Sequence, residues 1–138
     1  NLGAIVRVCA HFGAVGVLAA GADAGASMSM LRTAEGGGEW VEVLPVPTGP
    51  EPLQAARAAG FRLIATASRA PHDLYARPLP ARALLMLGSE THGLAPALQR
   101  LADDTVRIPG TGHLDSLNVA CACAVILSEY WRAHPPPA

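Results

Sequence analysis

The sequence predicts an α/β fold, in which a mostly parallel β-sheet is flanked by helices. Short apolar runs of strand length alternate along the chain with Ala-rich stretches of helical period, a pattern typical of parallel strands joined by helices. The chain has 138 residues, of which 51% are hydrophobic, and this is enough for one compact core. We therefore expect a single domain over residues 1–134, followed by a Pro-rich tail at residues 135–138.

The first predicted element is a helix over residues 2–12, with Asn1 placed to cap its amino end and Gly13 to end it. A loop follows at residues 21–29, and a short helix is predicted over residues 52–59. Pro45 is expected to end the second strand. The predicted strands are short apolar runs next to Gly or Pro, and they cover residues 15–19, 41–44, 61–67, 83–87 and 105–108.

The last predicted element is an amphipathic helix that extends to about Arg132. Its apolar residues recur at helical spacing. They are Leu117, Cys121, Ala124, Leu127 and Trp131. The Pro-rich segment after His134 cannot continue a helix, because proline has no N–H to donate and clashes with the preceding turn.

Composition excludes several classes of protein. No apolar run reaches the length of about 18 residues that is needed to cross a bilayer, and no signal peptide is recognisable, so we expect a soluble chain. The net charge is −1, which gives no independent reason to expect a nucleic-acid partner. All 10 basic residues are arginine, a bias compatible with a few bidentate phosphate contacts.

The three cysteines predict neither a disulfide framework nor a zinc site. Their number is odd, and no C-x-x-C spacing occurs. Cys121 and Cys123 stand two residues apart on one predicted helix, so they do not face each other. We expect Cys9, Cys121 and Cys123 to be small buried residues in a reducing cytosol, and we expect no metal cofactor.

Two Gly-containing segments, at residues 88–93 and 109–116, follow predicted strands directly. Parallel sheets bind their ligands at the carboxyl ends of the strands, so both segments are candidate ligand loops. Glu90 lies in the first segment, and Ser116 and Asn118 stand at the start of the final helix. Taken singly, each segment is equally well an ordinary strand-to-helix turn, with Ser116 capping the helix. Neither contains a dinucleotide fingerprint or a P-loop.

A third segment, from Asn1 to Arg7, makes the combination distinctive. The chain contains N-x-G-x-x-x-R, then G-[SN]-E-x-x-G-L, then I-P-G-x-G-x-x-x-S-L-N-V-A, in that order. This series resembles motifs 1, 2 and 3 of the SpoU/TrmH family of RNA ribose 2′-O-methyltransferases, which belong to the SPOUT class. The resemblance runs from Asn1 to the final helix, and the Ser-Leu-Asn-Val core of the third motif is its most specific part.

The resemblance implies more about fold and assembly than the pattern of elements does. It implies a catalytic domain whose segment from about residue 83 to residue 132 forms a deep trefoil knot, a feature nearly absent from other proteins. It also implies a homodimer packed through the first and last helices, in the cytoplasm. Because the strand that precedes motif 1 in the family is missing, we expect the natural protein to extend upstream.

The resemblance further implies a cofactor, a substrate and the residues that contact them. The cofactor would be S-adenosylmethionine, and the substrate a ribose 2′-hydroxyl of tRNA or rRNA. The cofactor-binding positions would be Leu87, Gly88, Glu90, Gly93, Ile108, Pro109 and Leu117. The catalytic positions would be Arg7, Asn1, Glu90, Ser116 and Asn118. Arg7 would bind an RNA phosphate and the developing alkoxide rather than act as a base, because guanidinium stays protonated far above pH 7.

Three alternatives stay open at this point. The chain could be a relative that binds S-adenosylmethionine and RNA without turnover. It could be a nicotinamide-dependent oxidoreductase, for which the glycines of residues 20–25 are the only nearby candidate, although no predicted helix follows them. It could also be a pure interaction module, which would have no small-molecule site.

Overall fold

The computed structural model describes residues 1–21, 36 and 39–138 of the chain. The loop predicted at residues 21–29 lies outside the described residues, except for Gly21. The other glycine of the nicotinamide alternative lies outside them as well. The described residues form two compact units, Asn1–Thr48 and Gly49–Ala138. Their elements in chain order are α1 (Leu2–Phe12), β1 (Gly16–Ala20), β2 (Glu42–Val46), α2 (Glu51–Ala58), β3 (Arg62–Thr66), β4 (His72–Asp73), β5 (Ala83–Met86), α3 (Pro96–Gln99), β6 (Asp104–Arg107) and α4 (Val119–Ala133).

The first unit contains α1 and a pair of parallel strands. Helix α1 has the predicted bounds and ends at Gly13. Asn1 occupies the predicted N-cap position, but its side chain makes no capping hydrogen bond; its carbonyl accepts from the Ile5 N–H at 2.9 Å. The helix buries Val6 and Cys9, which recur three residues apart on one face.

Strand β2 runs further than the sequence indicates. Pro45 was expected to end it, yet Pro45 lies inside the strand and pairs with Ala19 of β1. A proline has no N–H to donate, so a strand accepts it only where that donor is not needed for pairing. Within the described residues β2 pairs with β1 alone, so its other side needs no N–H donor for strand pairing.

The second unit is built on a four-stranded sheet with the order β4-β6-β3-β5. All of its strand pairings are parallel, so the predicted parallel α/β fold is confirmed. Strand β3 lies between β5 and β6, with Ala65 beside Met86 and Thr66 beside Val106. Leu63, Ile64 and Ala65 of β3 are all buried, as expected for a central strand covered on both faces.

Two short elements are absent from the sequence-based prediction. Strand β4 has only two residues and pairs with the edge of β6, so no run of alternating or apolar residues marks it. Helix α3 has four residues and begins with Pro96, too short for a helical period to show. Strand β4 is tied to β6 by an ion pair between Asp73 and Arg107, at 2.5 Å.

A second ion pair holds the segment after β4 to the start of β6. Arg77 contacts Asp104 at 2.6 Å, and His72 lies 4.0 Å from the same carboxylate. Partial burial opposes ionisation of Asp104, but the hydrogen bonds from Arg77 and from the Thr105 N–H, with the charges of Arg77 and His72, outweigh it. The pKa of Asp104 is therefore lowered from its ordinary value.

The core of the second unit lies between the sheet and α4. Ile126 of α4 is buried with Ile64, Leu74, Leu79 and Val106. Helix α4 begins at Val119, later than the apolar period alone indicates. The prediction that all three cysteines are buried is correct for Cys9 and Cys123 and wrong for Cys121, which is exposed because it lies on the opposite side of α4 from the core.

Replacement of Ile126 by alanine tests this packing. Ile126 is 1% exposed, so Ile126→Ala leaves a cavity in a core that cannot fully close around it. We expect a loss of about 3 kcal/mol in the free energy of unfolding, measured by urea denaturation. Ser128→Ala is the matched control, because Ser128 is exposed on the same helix, and we expect its effect to stay within about 0.5 kcal/mol. Equal losses from the two variants would contradict this account of the core.

Candidate functional site

The predicted ligand loops emerge on both sides of one strand end. Leu87 follows β5 directly and Ile108 follows β6 directly, and the strand order places β3 between them. Both side chains are partly buried and pack against the core cluster around Ile126. This packing holds Leu87 and Ile108 in place, and the two loops begin at these residues. This is the carboxyl edge of a parallel sheet, where the prediction placed the site.

The glycines of residues 88–93 are required by the loop itself. A Cβ atom at Gly88 would overlap the backbone of Gly93 and Leu94, and it would lie 2.6 Å from the Cα atom of Gly93. Gly93 has a φ of 64°, in the left-handed region that other residues rarely adopt. Its N–H donates to the Ser89 carbonyl at 2.8 Å, which closes the loop on itself. The segment is thus a tight preformed turn that presents backbone groups at the sheet edge.

The other polar groups of this turn point to a local structural role. The His92 N–H donates to Ser89 Oγ at 3.2 Å, and His92 Nδ1 lies 2.9 Å from Thr91 Oγ1. His92 is exposed, as is His113 in the second loop. The bonds of His92 stay within its own turn.

A direct hydrogen bond joins the two loops. Asn118 Nδ2 donates to Glu90 Oε1 at 2.7 Å. The other end of the same amide, Oδ1, accepts from the N–H groups of Ala120 and Cys121, at 2.9 and 3.3 Å. These two acceptor contacts fix the orientation of the amide, so its NH₂ group must face Glu90. One side chain thus caps α4 and holds the carboxylate of the other loop.

This arrangement corrects one prediction about α4. The sequence suggested that Ser116 caps the final helix, whereas the N-cap residue is Asn118. Both residue types cap well, so sequence alone could not choose between them. Ser116 lies exposed two residues earlier. Pro109 is exposed too, and Leu117 is 51% exposed, so an apolar surface remains open beside the capped helix.

The remaining predicted residues lie in the first unit. Asn1 stands at the amino end of α1, and Arg7 is exposed on the same helix almost two turns later. The structure of the second unit therefore brings together Glu90 with Asn118, and Gly88 with Gly93.

The carboxyl end of β3 also belongs to this edge, although it was not among the predicted site segments. Thr66 Oγ1 donates to the Met86 carbonyl at 3.1 Å, and the Ala67 N–H donates to the Val106 carbonyl at 3.1 Å. Thr66 and Ala67 therefore lie between the two ligand loops. The signal was present in the sequence, since a polar Thr-Ala-Ser segment follows directly on the apolar run of β3.

The arrangement can hold a flat, largely apolar ligand. Leu87 and Ile108 provide apolar walls, the closed turn provides backbone N–H and carbonyl groups, and Glu90 provides one carboxylate. Within the residues that the structure describes, no group of three or more His, Cys, Asp or Glu side chains could hold a metal ion. None of the described helices is long and apolar enough to cross a membrane.

Comparison with known proteins decides the family. The model of the SpoU rRNA Methylase family matches residues 1–128. The chain belongs to this family. The match spans both units and includes all three predicted motifs, so the resemblance is confirmed over the length on which it was proposed.

Individual relatives of the SpoU chain agree with this assignment. The chain is 39% identical to the uncharacterized tRNA/rRNA methyltransferase YfiF of Escherichia coli O157:H7, over 97% of this chain and 39% of that protein. It is 35% identical to the 23S rRNA (guanosine-2′-O-)-methyltransferase RlmB of a Burkholderia species, over 96% of this chain and 54% of that protein. The chain thus spans about half or less of the length of these relatives.

A solved structure shares the fold. The SpoU methyltransferase AviRb of Streptomyces viridochromogenes, in complex with AdoMet, matches with a TM-score of 0.86 and 34% identity. The match covers 96% of this chain and 55% of that one. Because the chain belongs to this family, the alternatives of a nicotinamide-dependent oxidoreductase and of a pure interaction module have no support.

Substitution of Gly88 tests the closed turn. We expect Gly88→Ala to lower the free energy of unfolding by about 2 kcal/mol, because the added methyl group meets backbone that cannot move without opening the loop. Gly110→Ala is the matched control, since no atom lies within 4 Å of a Cβ built there. Denaturation in urea measures both variants. A neutral Gly88→Ala would show that the turn is not packed as described.

Substitution of Asn118 tests the helix cap. Asn118→Ala removes the acceptor for two N–H groups at the start of α4, and we expect it to lower the free energy of unfolding by about 1 kcal/mol. Ser116→Ala should leave the free energy of unfolding nearly unchanged, because Ser116 is not the capping residue. Circular dichroism during urea titration provides the measurement. The opposite ranking of the two variants would restore Ser116 as the cap.

Proposed function

We propose that this chain is an S-adenosylmethionine-dependent methyltransferase that modifies a ribose 2′-hydroxyl of tRNA or rRNA. The observation that carries the proposal is the hydrogen bond between Asn118 and Glu90, which joins the motif 2 loop to the motif 3 loop at the carboxyl edge of the sheet. Membership of the SpoU family supports it, and so do the names of YfiF, RlmB and AviRb.

The residues at this edge fit the proposed cofactor. An adenine ring is flat and largely apolar, and Leu87, Ile108 and the exposed face of Leu117 offer apolar contact on either side of the β3 end. Gly88 and Pro109 leave backbone within reach, and the turn that Gly93 closes keeps that backbone in place. When bound, S-adenosylmethionine supplies an activated methyl group on a sulfonium.

The proposed reaction is an in-line displacement. The ribose oxygen forms a bond to the methyl carbon while the carbon–sulfur bond breaks, and its electron pair stays on sulfur. Arg7 binds an RNA phosphate and stabilises the negative charge that grows on the oxygen. The 2′-hydroxyl proton leaves to a phosphate oxygen or to water, because a guanidinium cannot accept it.

The other motif residues position these groups. Asn118 holds the Glu90 carboxylate at 2.7 Å, so that Glu90 keeps one orientation in which to order Arg7 or the ribose. We infer that Ser116 hydrogen-bonds within its own loop and that Asn1 shapes the amino end of the helix that carries Arg7.

Three further features of the family belong to the proposal as well. We infer that the segment from residue 83 to residue 132 forms a trefoil knot within a catalytic domain of residues 1–134. We infer a homodimer that packs through α1 and α4 and completes the site. We also infer a cytoplasmic location, because the proposed substrates are tRNA or rRNA.

Transfer of a labelled methyl group from S-adenosylmethionine to total RNA, followed by mapping of the modified nucleotide, tests the function. Calorimetry with S-adenosylhomocysteine tests cofactor binding separately. Binding of both ligands without methyl transfer would favour the alternative of a non-catalytic relative. Absence of cofactor binding would overturn the enzyme assignment for this chain.

Arg7→Ala tests the catalytic assignment. We expect kcat to fall by about 100-fold, the scale observed when a donor to a developing oxyanion is removed, while the affinity for S-adenosylhomocysteine stays unchanged. Arg100→Ala is the control for loss of one exposed positive charge, and we expect it to retain normal turnover. Near-normal kcat in Arg7→Ala would contradict the assigned role.

A further inference from the structure

Two exposed side chains, Arg69 and Tyr75, follow the strands on either side of β6, the strand that leads into the motif 3 loop. Asp73 of β4 pairs with Arg107 of β6, and Thr66 of β3 pairs with Val106 of β6. Beyond these pairs, the Ala67 N–H donates to the Val106 carbonyl at 3.1 Å and the Leu74 N–H donates to the Arg107 carbonyl at 2.8 Å, so the turns that carry Arg69 and Tyr75 begin on opposite sides of the end of β6. Strands β3 and β4 themselves lie about 10 Å apart, two strand spacings across β6.

The backbone of Tyr75 lies in a hydrogen-bonded turn. Its neighbour Leu74 is fully buried, and the Leu74 N–H donates to the Arg107 carbonyl at 2.8 Å. The Ala76 N–H donates to the Asp73 carbonyl at 3.0 Å, which closes the turn around Tyr75. The Tyr75 side chain is nevertheless 55% exposed. A tyrosine on an ordered backbone has only two side-chain torsions to order when a flat partner stacks on its ring.

Arg69 is an exposed, positively charged residue near this edge. Its segment is anchored on one side by the Ala67 N–H bond to Val106 and on the other by Ala70, which is buried. The nearby Arg107 is neutralised by Asp73, at 2.5 Å. Among the described residues, no carboxylate pairs with Arg69.

We propose that Arg69 and Tyr75 form a binding surface for single-stranded RNA beside the cofactor loops, in which Arg69 binds a phosphate and Tyr75 stacks on an unpaired base. This assignment rests on the proposed function for its substrate class. Single-stranded RNA is recognised by this combination of phosphate contact and aromatic stacking, and an unpaired strand leaves a ribose free to enter the edge between the loops. The surface positions the strand and does not touch the reacting atoms.

The binding test uses a fluorescent 20-nucleotide oligouridylate and the whole chain, with anisotropy measured over a range of salt concentrations. We expect Tyr75→Ala to weaken binding about tenfold and Tyr75→Phe to retain most of the affinity, because phenylalanine keeps the ring. We expect Arg69→Ala to weaken binding and to reduce the slope of log affinity against log salt by about 0.7, the value of one phosphate contact on a single strand.

Arg62→Ala is the matched control. Arg62 is an exposed arginine at the start of β3, whereas Arg69 follows the end of that strand, so the variant loses the same charge away from the proposed surface. In the methyl-transfer assay we expect Arg69→Ala and Tyr75→Ala to raise KM for RNA with little change in kcat. Their affinity for S-adenosylhomocysteine should stay unchanged, a combination that a general folding defect would not produce.

The outcomes separate the two proposals. A wild-type chain that methylates total RNA, with Arg69 and Tyr75 variants that bind the oligonucleotide as well as Arg62→Ala does, overturns the surface and leaves the function standing. A wild-type chain that does not bind the oligonucleotide also overturns the surface. Weakened binding in the two variants without any methyl transfer by the wild type supports the surface and overturns the methyltransferase assignment.

Discussion

The two ends of the Asn118 amide serve two structural needs, and the geometry of the candidate site depends on both. The oxygen satisfies N–H groups that the first turn of α4 would otherwise leave without a partner, and the nitrogen holds the Glu90 carboxylate of the neighbouring loop. Because the helix start and the carboxylate share one side chain, a shift of α4 would also move Glu90. The position of the helix and the order of the site are therefore coupled through a few atoms.

The strand order explains why this coupling reaches the ligand loops. Strand β3 lies between β5 and β6, so segments distant in sequence emerge side by side at the carboxyl edge. The buried residues of β3 and Ile126 of α4 hold that edge in register. Gly88 then allows the motif 2 turn to close within the space that a side chain would fill. A rigid edge of this kind can bind a cofactor without a large ordering cost.

The low net charge of the chain is compatible with an RNA substrate, because a net charge does not show which arginines are paired with carboxylates. Four arginines are matched to carboxylates within the second unit, in the pairs Arg57–Asp103, Arg77–Asp104, Arg107–Asp73 and Arg132–Glu129. These pairs stabilise the surface modestly and offset the charges of these four arginines. A charge count averages over them, and it cannot reveal that Arg69 stands apart from them at the sheet edge.

The sequence by itself determined the family, the order of the main elements and the motifs that supply the candidate residues. Glycines, prolines and helical period are local signals, and they placed α1 and the strands within a few residues. Only the tertiary structure decided the rest. It extended β2 through Pro45, added β4, moved the helix cap from Ser116 to Asn118 and exposed Cys121. The two changes in the strands depend on a neighbouring strand that is distant in the chain. The same reason kept the link between Glu90 and Asn118 hidden until the fold brought their loops together.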